Sequence, residues 1–177
     1  MPQGRYQLRV GARDMNGGKL GTVFSDVVVP DFSSEPLMLS GLLISSTGAV
    51  DMLTAQRDAQ AERLLGAPPS ARRTFTQRET LRVLVEIYDN LPAHENRQVE
   101  LHSRLIDESG RDVFSSRSHL PNGPGSEPAW SALGQVSQIP LSSIAAGRYL
   151  LRVEAAHRTD ARPAFSETVI RVTPDGE

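Results

Sequence analysis

Cysteine is absent from this chain of 177 residues. That excludes disulfides, thiolate metal sites and a cysteine nucleophile. Lysine is almost absent: 18 of the 19 basic residues are arginine, a bias that GC-rich coding produces and that carries no binding inference. An excess of one charge is missing too. The net charge is −2, so neither nucleic acid nor an anionic membrane surface is an expected partner. Aromatic residues number only nine, one Trp, three Tyr and five Phe, too few for a nucleic-acid stacking platform. No apolar run approaches the roughly 20 residues that span a bilayer, so membrane insertion by a helix is not expected. The first residues lack the basic-then-apolar pattern of a secretory signal. Hydrophobic residues make up 38%, enough to build a core but below the globular average.

What is present is a repeat. Residues 4–10 read Gly-Arg-Tyr-Gln-Leu-Arg-Val and residues 147–153 read Gly-Arg-Tyr-Leu-Leu-Arg-Val, six of seven identical at a separation of 143. Phe24-Ser25-Asp26 is echoed by Phe165-Ser166-Glu167, and Pro30-Asp31 by Pro174-Asp175. The chain is too short for two units of that period. The repeat predicts one whole unit preceded by the tail of another, and a secretory signal could then have been lost with the missing part. The competing reading makes the first strands an extension of the same domain's sheet.

Alternation of apolar and polar residues is the dominant pattern. Tyr6, Leu8 and Val10; Leu81, Val83, Val85 and Ile87; Val99, Leu101 and Leu105; and Tyr149, Leu151 and Val153 each alternate with mostly polar neighbours. Period two places one face on a core and the other toward water, as antiparallel sheets allow. Strands are predicted at 4–13, 21–29, 37–45, 71–76, 80–89, 97–107, 111–118, 134–140, 147–156 and 164–173. Asn16-Gly17-Gly18 and Glu108-Ser109-Gly110 read as turns, and Pro121 to Gly125 as a longer loop. Only 51–65 has helical character, closed by Gly66 and Pro68-Pro69, and a mobile loop there is the alternative. Seven short alternating strands predict an all-β, immunoglobulin-like antiparallel sandwich. The expected organisation is a β-hairpin at 1–30, a linker at 31–36 and a sandwich at 37–177 with an insertion at 51–65. Tyr149, and Tyr6 in the first copy, occupy the place of a tyrosine corner, in which the hydroxyl returns to an upstream backbone group.

The run from Gly4 through Val10, Gly21-Thr22-Val23-Phe24, Val27 to Phe32 and Leu37 to Ile44, with Arg72-Arg73-Thr74-Phe75, Tyr88-Asp89-Asn90 and Gly147 to Val153, resembles the C-terminal region of bacterial von Willebrand factor A-related proteins. The resemblance covers nearly the whole chain and rests on structural motifs. It implies an exported, extracellular or periplasmic protein of the cell envelope, whose terminal sandwiches act as spacers or partner-binding modules. The family's A-type domain is not in this chain. Its metal loop, Asp-x-Ser-x-Ser, is matched only by Asp31-Phe32-Ser33-Ser34-Glu35. There Glu35 replaces the second Ser, Pro30 interrupts the strand and Pro36 blocks the helix, so 31–36 is read as a plain linker.

Candidate chemistry is sparse. His94, His102, His119 and His157 show no metal-ligand spacing and are read as solvated. No Gly-x-Ser-x-Gly elbow or phosphate loop is present. Asp107, Glu108 and Asp112, and Asp89, Asn90 and Glu95, are loop oxygen donors without the spacing of a calcium loop. The first set reads as a turn. No cofactor, metal site or catalytic residue is therefore expected. Trp130 follows a Pro/Gly-rich loop and either plugs the core or makes a contact. Leu84, Leu150 and Ile106 interrupt the polar faces of their strands. They predict either an apolar contact patch or burial beneath 51–65. The function expected is a non-catalytic structural or protein-interaction module, with neighbouring domains of the same polypeptide and another protein as partners. The alternative is a carbohydrate-binding module built around Trp130.

Overall fold

The computed structural model describes residues 2–49, 58–91, 98–120, 133–157 and 162–175. The chain divides into two compact units, Met1–Ser34 and Glu35–Glu177. In the first, β1 (Gly4–Arg13) and β2 (Leu20–Val29) pair antiparallel, with Gly4 opposite Val29 and Arg13 opposite Leu20. The turn between them is held by Asp14, whose carboxylate accepts the Asn16 amide at 2.9 Å.

The second unit is a sandwich. Its elements are β3 (Leu37–Leu39), β4 (Leu43–Ser46), α1 (Ala59–Leu65), β5 (Thr74–Thr76), β6 (Thr80–Asp89), β7 (Val99–Ile106), β8 (Asp112–His119), β9 (Leu133–Pro140), β10 (Gly147–His157) and β11 (Ala164–Thr173). One sheet has β6 between β9 on one side and β3 and β4 on the other. The second runs β5-β11-β10-β7-β8, antiparallel except where the short β5 joins β11 in parallel. The fold is thus the all-β, immunoglobulin-like sandwich expected from the alternation.

Period two decides what is buried. On β7 and β10 every second residue is buried and its neighbours are not. Leu81, Val83, Val85 and Ile87 of β6 face Leu101, Leu105, Leu151 and Val153 in one core that also takes Phe75, Ile139, Ile170 and Val172. Burying one such aliphatic side chain contributes about 1.5–3 kcal/mol, so this core outweighs any single polar contact. Ser103 sits in the same inward row, and its hydroxyl meets that of Ser137 on β9 at 2.7 Å, which joins the two sheets.

Two local departures have clear causes. The predicted strand 37–45 is split, because the Ser40 hydroxyl accepts the Glu86 amide at 2.9 Å where a ladder carbonyl would stand. Of the predicted helix, residues 59–65 form α1 and residues 51–57 lie outside the described residues. Asp58 caps α1 by accepting the Gln60 and Ala61 amides at 3.0 Å, and Gly66 ends it at φ 69°. A Cβ on Gly66 would also fall 1.9 Å from Arg82 Nη1, the atom that donates to the Leu65 carbonyl at 2.7 Å.

At the entry to β10, Tyr149 Oη donates to the Ala145 carbonyl at 2.7 Å. Tyr6 Oη donates to the Pro2 carbonyl at the same distance, also four residues upstream. Each is a tyrosine corner that fixes how the chain turns into its strand. The Tyr149→Phe variant keeps the packed ring and loses the bond. Its stability is expected to fall by about 1 kcal/mol, as a lower urea midpoint at unchanged slope. No change in midpoint would contradict the role given to the corner.

Candidate functional site

The outward face of the five-stranded sheet carries a connected ladder of charged side chains. Its residues are the alternates of the buried row, so the pattern that builds the core also builds this face. Arg104 of β7 and Arg152 of β10 stand directly opposite one another, which like charges do not favour. Carboxylates separate them. Arg104 Nη2 donates to Glu154 Oε1 at 2.8 Å, and Arg152 lies 3.7 Å from the same oxygen. Arg104 also reaches Asp112 at 3.4 Å, and Arg152 donates to Glu167 at 2.7 Å. The Arg152 guanidinium covers the exposed Phe165 ring at 4.5 Å.

Within this face lies an array of nucleophile, base and acid. His102 Nε2 and Ser115 Oγ are 2.8 Å apart, and His102 Nδ1 stands 3.9 Å from Glu154 Oε2. Burial lowers the His102 pKa, and the Arg117 and Arg104 charges add to this more than Glu154 and Asp112 offset it, so the ring is neutral at pH 7. Two requirements of a Ser–His–acid triad are unmet. The acid must hydrogen-bond the second ring nitrogen, and 3.9 Å exceeds that reach while Arg104 holds the carboxylate. An oxyanion hole needs donors converging above the nucleophile, whereas strand amides lie in the sheet plane, perpendicular to the side chains. As it stands, the array ties β7, β8 and β10 together.

A second cluster is buried at the corner where β4, β5 and β6 meet. Glu79, 7% exposed, accepts the Ser46 hydroxyl at 2.5 Å and the Thr76 amide at 2.9 Å. It also pairs with Arg72, whose guanidinium lies 5.0 Å above the buried Phe75 ring. Gly48 packs closely beside it: a Cβ there would stand 2.6 Å from Glu79 Oε2, so a larger residue would have to displace the carboxylate. Burial pushes the Glu79 pKa up, but the hydrogen bonds from Ser46 and Thr76 and the charge of Arg72 outweigh it. The carboxyl is held below its ordinary value.

The residues singled out by sequence are dispersed. Trp130 and His94 lie outside the described residues. Leu84 is buried with Ala61, Leu65 and Val136 under α1, the second of the two outcomes left open for it. Leu150 is half-buried on the outward face, directly opposite Ile106. Reading all the histidines as solvated is corrected at His157. It is 3% exposed, continues the inward row of β10 one step past Ala155, and places Nε2 3.1 Å from Asp89 Oδ1. His119 is exposed.

Asp107 and Asp31 make turns. Asp107 accepts the Ser109 hydroxyl at 2.5 Å and the Arg111 amide at 3.0 Å. The Ser109 hydroxyl bond and the Arg111 amide bond are the main causes that lower its pKa to about 2. Arg111 Nη2 also donates to its second oxygen at 3.0 Å. Asp31 accepts the Ser33 hydroxyl at 2.6 Å and amide at 3.0 Å. Among the described residues no three His, Asp or Glu side chains gather as metal ligands, and no helix is long and apolar enough to cross a membrane. Sequence reasoning missed Glu79 and His157. Parity could have found His157, and nothing local marks Glu79 as buried.

A scan against models of known protein families finds no match, and a search of curated proteins finds no relative.

Glu79 generates a pH prediction. Its folded pKa lies below that of the unfolded chain, so its stabilisation is present above the ordinary carboxylate value of about 4.3. It is lost as pH falls through the folded pKa. Glu79→Gln is expected to cost about 1–3 kcal/mol at pH 7 and progressively less in acid, read from urea titrations of both proteins across pH 3–7. A gap that widens toward acid would contradict this.

Proposed function

We propose that this chain is a non-catalytic structural and protein-interaction module of an exported bacterial protein. One observation supports the reading: the polar clusters on the outward sheet face and at the buried corner bridge neighbouring strands. Glu154 separates two facing arginines, Arg152 ties β10 to β11, and Glu79 locks the corner of β4, β5 and β6. Side chains engaged in this way hold a frame stiff, and a stiff frame suits a spacer that presents connecting loops. The contact surface we propose is the sequence between β6 and β7 and between β8 and β9. Placement in the cell envelope rests on the resemblance to the C-terminal region of von Willebrand factor A-related proteins.

The reading is tested on the full chain in two assays. Incubation with a fluorophosphonate probe is expected to leave the intact mass unchanged, and a panel of soluble oligosaccharides at millimolar concentration is expected to leave the unfolding midpoint unmoved. An adduct on Ser115 would replace the reading with a serine hydrolase. A saccharide-dependent rise in midpoint would replace it with a carbohydrate-binding module.

A further inference from the structure

The hairpin β1–β2 and the closing pair β10–β11 are the same object in two environments. Gly4 faces Val29 and Gly147 faces Val172, so an offset of 143 holds along both strands. The sequence echo of Phe24 with Phe165 is thereby corrected: Phe24 stands opposite Arg9, and Glu167 holds that place opposite Arg152. A shift of two residues keeps the face, and arginine covers phenylalanine in both copies, Arg9 over Phe24 at 5.4 Å and Arg152 over Phe165 at 4.5 Å. Both copies carry the tyrosine corner at 2.7 Å.

Burial separates them. Leu151, Val153 and Ile170 are 0–1% exposed, whereas their counterparts Leu8, Val10 and Val27 are 53%, 56% and 38% exposed. A two-stranded ribbon is at best marginally stable alone in water, and a contiguous apolar face of this kind marks a contact. The occupant is specified by the copy that has one. Leu151, Val153 and Ile170 are covered by residues of β4, β6 and β9, strands that precede β10 in the chain. A second copy of this chain offers no vacancy for the ribbon, because its sandwich already holds its own β10–β11. The corner at Tyr6 turns the arriving chain as the corner at Tyr149 turns the chain coming from β9.

We propose that β1–β2 is the closing strand pair of a second immunoglobulin-like sandwich. The earlier strands of that sandwich, a body the size of residues 35–146, are carried ahead of β1 in the same polypeptide and cover the face of Tyr6, Leu8, Val10, Val23 and Val27. This rests on the reading of the chain as a structural module and names its first partner, the adjoining module in series.

Hydrogen exchange read by mass spectrometry tests it on the 177-residue chain and on the polypeptide encoded from one module-length upstream, each with and without Leu8→Asp. In the extended polypeptide the amides of β1 and β2 are expected to exchange on the order of 100-fold or more slowly than in the shorter chain. Leu8→Asp is expected to remove that protection and leave β10 and β11 as they were. Equal exchange in the two proteins overturns the proposal, as does a reading frame that begins at Met1. Full protection already in the shorter chain also overturns it. Dependence on concentration would then assign the face to a second copy, and independence would assign it to the chain's own sandwich. A probe adduct on Ser115 or a saccharide-shifted midpoint would instead defeat the functional reading of the main sandwich and leave exchange in β1–β2 unmoved, so the two failures are separable.

Discussion

Tyr149, Leu151, Val153, Ala155 and His157 are buried in succession, and the residues between them stay half-exposed. β10 lies between β11 and β7 in the five-stranded sheet, so this row fixes the register of both neighbours. A slip of one residue would bring Arg152 and Glu154 into the core and put Leu151 and Val153 in water, and a buried face does not tolerate that. The outward ladder of Arg104, Glu154, Arg152 and Glu167 is the other side of the same constraint. Surface ion pairs contribute about 0–1 kcal/mol each, so the ladder follows from the register that the core imposes and adds a modest preference for it.

The same local code appears in β1 without the same outcome. Tyr6, Leu8 and Val10 repeat the row, and Tyr6 makes its corner, yet Leu8 and Val10 are more than half exposed. Hairpin geometry and the corner are therefore properties of a short sequence. Burial is a property of what packs on it.

Much of this was legible because alternation is local. The bounds of β1, β6 and β11 coincide with the predicted strands, and Gly-x-Tyr marked both corners. What the sequence hid depends on partners distant along the chain. Ser40 splits a strand by capturing the amide of Glu86. Glu79 is buried because Ser46 and Arg72 arrive from either side. Leu84 looked like a break in a polar face and is covered by α1. His157 was hidden differently: its parity pointed inward, and its polar ring suggested solvent. For the candidate site, alternation along β7 puts His102 on the outward face, but no local pattern shows that Ser115 and Glu154 approach it, or that Arg104 holds the acid.

Chemically capable groups on a sheet face are ordinary. What distinguishes a site is the convergence of donors and the freedom of the acid, and here the carboxylates hold arginines. One complete sandwich, residues 35–173, accompanies a ribbon with no core of its own. Pulling single molecules of the full chain by their ends tests it most directly. A single unfolding event is predicted, releasing the extended length of residues 35–173, on the order of 470 Å at roughly 3.4 Å per residue. A second event for residues 1–34, or one event that releases the whole chain at once, would contradict it.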